Sequence, residues 1–118
     1  MVIILCEFKV ISKEGEKEKK VGEDIVYAKF SEDHVLLKDI LGRDIKIHGA
    51  IIEEVDVNSE ILKLASSPLI IKINKFLYAY HKCDSEKVYD EKIEALWEDV
   101  KASGDEVIRT LWKKYGKG

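Results

Sequence analysis

The feature that most constrains the fold is a change in hydrophobic period at Ser66-Ser67-Pro68. Before this point, apolar and polar residues alternate in short runs separated by turn residues, which is typical of half-buried antiparallel strands. After it, apolar residues recur at spacings of three and four, which is typical of amphipathic helices. The pattern predicts an α+β protein, with a small antiparallel β-barrel or sandwich over residues 1–65 and a helical extension over residues 66–118.

About six strands are predicted in the amino-terminal part. Residues 1–5 are expected to open the first strand, and the charged run at residues 13–20 is expected to form the exposed tip of a hairpin, with Gly15 supplying a positive φ. The last two predicted strands cover residues 51–57 and 61–65. A unit this short limits its exposed strand edges by curling closed.

Two helices are predicted after the change of period. Ser67 and Pro68 form a helix start, because the hydroxyl can accept an orphan amide and proline is tolerated at the first helical position. Asp84 and Ser85 are expected to cap the second helix. Gly104 lies on the apolar stripe of that helix, and the unbroken phase favours one helix of about thirty residues, or about 45 Å, over two shorter ones.

Part of this long helix has no predicted partner, because a barrel of sixty residues is narrower than the helix is long. Trp97, Leu111 and Trp112 are therefore either core residues against the first helix or anchors of a subunit interface. We expect a homodimer. A protein-interaction adaptor that uses these helices is the alternative.

Composition and charge narrow the functional classes. The chain is 36% charged and rich in Lys and Glu, as in hyperthermophile proteins, which suggests a thermophilic archaeal source. Cys6 and Cys83 are far apart and no signal segment or membrane span is evident, so we expect reduced thiols in a cytoplasm. Residues 1–65 hold 10 Lys and Arg against 14 Asp and Glu, a net charge of −4 that disfavours phosphate binding.

The β part resembles the CooT family, small nickel-binding accessory proteins of carbon monoxide dehydrogenase whose archaeal relatives carry an RNA-binding label. The resemblance covers roughly residues 5–65 and depends on the order of short motifs. These are Cys6, then Val-Tyr-Ala at residues 26–28, then Val-x-Leu-x-Asp-x-Leu-Gly at residues 35–42, then Gly49 followed by Ile51 and Glu53. It implies a non-enzymatic protein that serves a metalloenzyme client.

The resemblance implies that Cys6 binds nickel. In the family, the equivalent cysteine directly follows the initiator methionine and binds nickel with its counterpart across a homodimer, and Ni(II) accepts such sulfur and nitrogen donors. Five residues precede Cys6 here, so the resemblance also suggests that the native chain starts at the Leu5 position. The alternative is structural: Cys6 shares a strand face with Phe8 and Val10 and is then a small buried hydrophobe.

RNA binding is the second functional class. Its best surface combines Tyr27 with Lys29 and Lys46, although acidic neighbours dilute the positive charge. His34 and His48 lie at predicted strand ends, where we expect surface histidines rather than ligands. The sequence holds no glycine-rich phosphate loop, HExxH or paired CxxC motif, so we do not expect an enzyme.

Overall fold

The computed structural model describes residues 7–116, and the chain divides into two compact units between Ser67 and Pro68. Within the described residues, six strands are followed by two helices, which confirms the predicted fold class. The elements are β1 (Phe8–Glu14), β2 (Lys17–Ser31), β3 (His34–Asp39), β4 (Asp44–His48), β5 (Ala50–Asp56), β6 (Ile61–Ser66), α1 (Pro68–Glu86) and α2 (Lys92–Tyr115). The predicted strand at residues 1–5 lies outside the described residues.

The strands form one curled sheet in the order β4-β3-β2-β1-β6-β5. Neighbouring strands are antiparallel, as predicted, except that β1 and β6 pair in parallel. β3 and β5 lie four positions apart in this order, which in a flat sheet would separate them by about 19 Å. They nevertheless contact each other, so the sheet curls into a half-barrel.

The long strand β2 bends in the middle and thereby joins the two sides of the sheet. Asp24 adopts a φ of 56°, and the register of β2 shifts near Ile25 against both β1 and β3. Gly22 lies at the bend, where an added Cβ would come within 3.1 Å of Ile25 and 3.6 Å of Leu37. A glycine here therefore lets the bent strand close over the core.

The core of the β unit is contributed by every strand except β4, whose Ile45 and Ile47 pack against it from the side. Its seven buried apolar residues are Val10, Ile25, Val35, Leu37, Ala50, Leu62 and Leu64. These residues come from strands far apart in sequence, so the core stabilises the whole sheet rather than single hairpins.

The turn between β3 and β4 is held by the buried Asp39. Its carboxylate accepts hydrogen bonds from the backbone N–H of Leu41 at 3.0 Å and of Arg43 at 2.9 Å, and from Arg43 Nε at 2.7 Å. These donors, foremost the Arg43 N–H, lower the pKa of Asp39, because they stabilise its charged form. The clamp fixes the pairing of β4 with β3.

The helical unit differs from the prediction at the junction of its helices. Asp84 and Ser85 lie in the last turn of α1, where Ser85 Oγ donates back to the Lys82 carbonyl at 3.1 Å instead of capping a new helix. Lys87, at a φ of 57°, follows the end of α1, and Asp90 Oδ1 accepts the Lys92 N–H at the start of α2. The apolar period could not mark this break, because both helices carry the same kind of apolar stripe.

The predicted continuity of the second helix is confirmed, since α2 runs through Gly104 without interruption. An added Cβ at Gly104 would meet no atom within 4 Å, so no close contact requires glycine there. The helix has 24 residues, about 36 Å, rather than the thirty expected. Phe76 of α1 contacts Trp97 of α2 with ring centroids 5.2 Å apart.

Candidate functional site

Two histidines and an aspartate meet at one end of the β unit. His34 begins β3 and His48 ends β4, and the two are direct partners across the antiparallel pair. Asp33 lies in the two-residue turn that connects β2 to β3. The expectation of surface histidines is wrong for His34, which is only 6% exposed, because sequence alternation alone does not show which strand ends are covered.

The ligand atoms of the three side chains all lie within 4.8 Å of one another. Asp33 Oδ1 lies 3.5 Å from His34 Nδ1 and 3.7 Å from His48 Nδ1, and the imidazole centroids are 5.2 Å apart with the rings tilted by 52°. These separations are at or beyond the long limit for a hydrogen bond. Two imidazoles and one carboxylate are also a common ligand set for divalent transition ions.

The backbone that carries this cluster is well defined. Glu32 adopts a φ of 56° in the turn before His34, and Gly49 adopts a φ of 68° directly after His48. Both are left-handed conformations that tight turns between strands require. The Asp39 clamp at the other end of β3 fixes the register that places His34 opposite His48.

The predicted nickel ligand Cys6 lies outside the described residues. Glu7, the residue after it, precedes β1 and lies outside that strand. Cys83 is a half-buried free thiol on α1 that lines a surface concavity of about 440 Å³ with Tyr78, Ile93 and Leu96. Within residues 7–116, the Asp33–His34–His48 cluster is the one group of three or more His, Cys, Asp or Glu whose ligand atoms all lie within 4.8 Å of one another.

The residues of the predicted RNA surface share one face of the sheet. Lys29 and Lys46 both lie beside Leu36, on opposite sides of it, and Tyr27 pairs with Lys38. Side chains at paired positions of antiparallel strands project to the same side. The Lys38 ammonium lies 5.6 Å from the Tyr27 ring centroid, which adds a fourth residue that the sequence reasoning missed.

The predicted interface residues differ in their surroundings. Trp97 contacts Phe76 and is partly covered by α1, whereas Leu111 and Trp112 are 54% and 65% exposed. Phe76 of α1 is level with Trp97 of α2, and Pro68, the first residue of α1, lies eight residues before Phe76. Because the two helices are antiparallel, Pro68 is level with about residue 105 of α2. The last ten or so residues of α2 therefore extend past the start of α1.

That overhang carries an exposed apolar stripe, whose members are Ile108, Leu111, Trp112 and Tyr115. They continue the stripe that packs on α1 at Trp97.

No helix in the described part of the chain is long and apolar enough to cross a membrane.

In comparisons with known proteins, the matches lie in the β unit. A family model described as "CO dehydrogenase accessory protein CooT" matches residues 5–62. A crystal structure of a protein assigned as CooT from Carboxydothermus hydrogenoformans is 22% identical, with a TM-score of 0.48, and the match covers 52% of this chain and 98% of that chain. The search of curated proteins found no match.

Proposed function

We propose that this protein, whose residues 5–62 match the family model of the CO dehydrogenase accessory protein CooT, binds Ni(II) as a non-enzymatic accessory factor for such an enzyme. The observation that carries the proposal is the family match itself. It begins at Leu5, so Cys6 is the second residue of the matched segment. This position near the start of the matched segment supports the proposal that Cys6 is the nickel ligand.

The donor chemistry at this position suits nickel. A thiolate close to a chain start can be joined by the terminal amine and by backbone amide nitrogens, and Ni(II) accepts these donors in square-planar geometry. Cys83 is a poor substitute, because it is half-buried beside apolar side chains on α1.

We further propose that the protein acts as a homodimer. The exposed stripe on the α2 overhang is apolar, with charged residues such as Arg109 and Lys113 nearby, so it can pack against the same stripe of a second copy. Two copies that pair through it would remove Leu111 and Trp112 from water. A metalloenzyme client then receives nickel from a two-chain carrier.

RNA binding is the second candidate, and the face formed by Tyr27, Lys29, Lys38 and Lys46 favours it. Exposed aromatic and basic side chains on one sheet face are the elements of single-strand recognition. The net charge of −4 over residues 1–65 opposes a polyanionic ligand. We therefore rank nickel binding ahead of RNA binding, and the family match and the net charge both support this order.

The nickel proposal is tested by titrating Ni(II) into two forms of the protein. One form starts at Met1, and the other lacks residues 1–4 and carries Leu5→Met. We expect thiolate-to-nickel charge-transfer absorption to saturate at about one ion per two chains in the shorter form and to be weak in the longer one, because only the shorter form offers an amine beside Cys6. Ions held without sulfur do not give this absorption.

The controls use the two cysteines of the chain. In the shorter form, Cys6→Ala should abolish the charge-transfer absorption, while Cys83→Ala should leave it unchanged. Absorption that survives Cys6→Ala would refute the assignment of Cys6, and equal absorption in both forms would refute the role of the chain start.

A further inference from the structure

The cluster of Asp33, His34 and His48 has the composition of a metal site that neither the family match nor Cys6 accounts for. It combines two imidazole side chains with one carboxylate, and none of the three belongs to the short motifs that carry the resemblance. Lone acidic groups gather on many protein surfaces, but two imidazoles converging on one carboxylate oxygen are a more selective arrangement.

The distances fit shared coordination better than they fit direct hydrogen bonds. Bonds of about 2.0–2.1 Å to a tetrahedral ion put neighbouring ligand atoms about 3.3–3.4 Å apart. Asp33 Oδ1 is 3.5 Å from His34 Nδ1 and 3.7 Å from His48 Nδ1, so these two separations need to close by only a few tenths of an ångström. All the ligand atoms of the cluster lie within 4.8 Å of one another. A hydrogen bond to either imidazole at these lengths is weak.

The scaffold limits how far these ligands can move apart. His34 and His48 are held opposite each other by paired strands, and Asp33 is held by a two-residue turn. Ligands on strands and tight turns are positioned more precisely than ligands on long loops. The ion would therefore meet a nearly preformed site, at little cost in conformational entropy.

Exposure within the cluster is graded from one side to the other. The side chain of His34 is 8% exposed, that of Asp33 is 31% exposed and that of His48 is 61% exposed. The ion would be bound by the buried His34 on its inner side and would stay accessible to solvent on its outer side, near His48. Three protein ligands with open positions are typical of sites that exchange ligands rather than of closed structural sites.

We propose that Asp33, His34 and His48 bind a divalent first-row transition ion of the Co(II), Ni(II) or Zn(II) class at a site separate from Cys6. Imidazole and carboxylate ligands select these ions over Mg(II) and Ca(II), which prefer oxygen ligands alone. The acidic balance of residues 1–65 adds a favourable field for a cation. This site does not depend on the proposed nickel role of Cys6.

The test uses the full chain with Cys6→Ala and Cys83→Ala, so that no thiolate is present. Titration with Co(II) should give visible d–d absorption without thiolate charge transfer, at about one ion per chain, and Ni(II) should compete for the same site. His48→Ala and Asp33→Asn should each weaken Co(II) binding by about 100-fold, because removing even an outer-sphere partner of a metal ligand costs 10–100-fold.

Two matched controls exclude general effects of charge and of histidine content. His81→Ala removes the exposed histidine of α1, and Glu32→Gln neutralises the acid next to Asp33. Both should bind Co(II) as the parent does. His48 is largely exposed, so the His48→Ala variant is expected to fold, which the melting temperature without metal verifies.

Metal-induced thermal stabilisation gives a second readout. An ion that binds only the folded chain raises its melting temperature. The rise on adding Co(II) should be lost in His48→Ala and kept in His81→Ala. Absence of Co(II) binding in the cysteine-free protein, or binding that is unchanged by both His48→Ala and Asp33→Asn, would overturn the proposal.

Discussion

Replacing Leu111 and Trp112 together by lysine is expected to weaken self-association of this chain by about 100-fold or more, because buried aromatic and aliphatic anchors typically account for most of the energy of an interface. Both side chains are more than half exposed on the α2 overhang, so the substitutions remove little packing within the chain. Lysines near a helix C-terminus also interact favourably with the helix dipole, so α2 should stay helical. Light scattering across a concentration series measures the change.

Thr110→Lys is the matched control for this experiment. Thr110 lies in the same turn of α2, about 100° from Leu111 on the exposed side away from the stripe. The substitution adds one lysine near the helix end, where the double variant adds two. It should leave self-association unchanged. A parent protein that stays monomeric at high micromolar concentration would contradict the dimer, and so would equal weakening by Thr110→Lys.

The second large effect concerns the core of the β unit. Leu37→Ala should lower the free energy of unfolding by about 3 kcal/mol, within the range of about 2–5 kcal/mol for deleting a buried leucine side chain. Leu37 is fully buried, it faces Ile45 across the β3–β4 pair, and it approaches the bend at Gly22. Its loss leaves a cavity at the point where the half-barrel closes. Urea unfolding monitored by circular dichroism measures the effect.

Leu41→Ala provides the comparison, because Leu41 is 74% exposed in the turn after β3. An exposed position of this kind should change the free energy of unfolding by less than about 0.5 kcal/mol. A loss at Leu37 no larger than the loss at Leu41 would show that the described core does not stabilise the fold.

Much of the fold could be predicted because its signals are local. The alternation of Val35, Leu37, Ile45 and Ile47 places them on one face, and the structure packs all four into or against the core. Pro68 begins α1 as predicted, because its fixed φ suits a first helical turn. The parallel pairing of β1 with β6 could not be predicted, since it joins strands that are about fifty residues apart.

The junction of the helices was missed for a local reason as well. Asp84 and Ser85 are good N-cap residues, but their side chains are also compatible with the last turn of a helix, where Ser85 bonds to a carbonyl instead. Lys87 gives no sequence sign of its positive φ, which glycine or asparagine would have given. The result was a second helix predicted to begin too early.

The Asp33–His34–His48 cluster was missed because its members are informative only together. His34 and His48 are fourteen residues apart, and a strand pattern does not state which residues of two strands are opposite each other. One signal was available: the Leu41-Gly42 turn sets the β3–β4 register and thereby pairs the two histidines. The basic face was found in part, with Lys38 missed for the same reason.

The most direct test of the nickel accessory role is reactivation of nickel-free CO dehydrogenase. The form that lacks residues 1–4 and carries Leu5→Met, loaded with Ni(II), is mixed with the nickel-free enzyme, and CO oxidation is followed over time. We expect faster recovery of activity than with the same total concentration of free Ni(II), and no such advantage when the protein carries Cys6→Ala. Recovery that is no faster than with free Ni(II), or that is equally fast with Cys6→Ala, would contradict it.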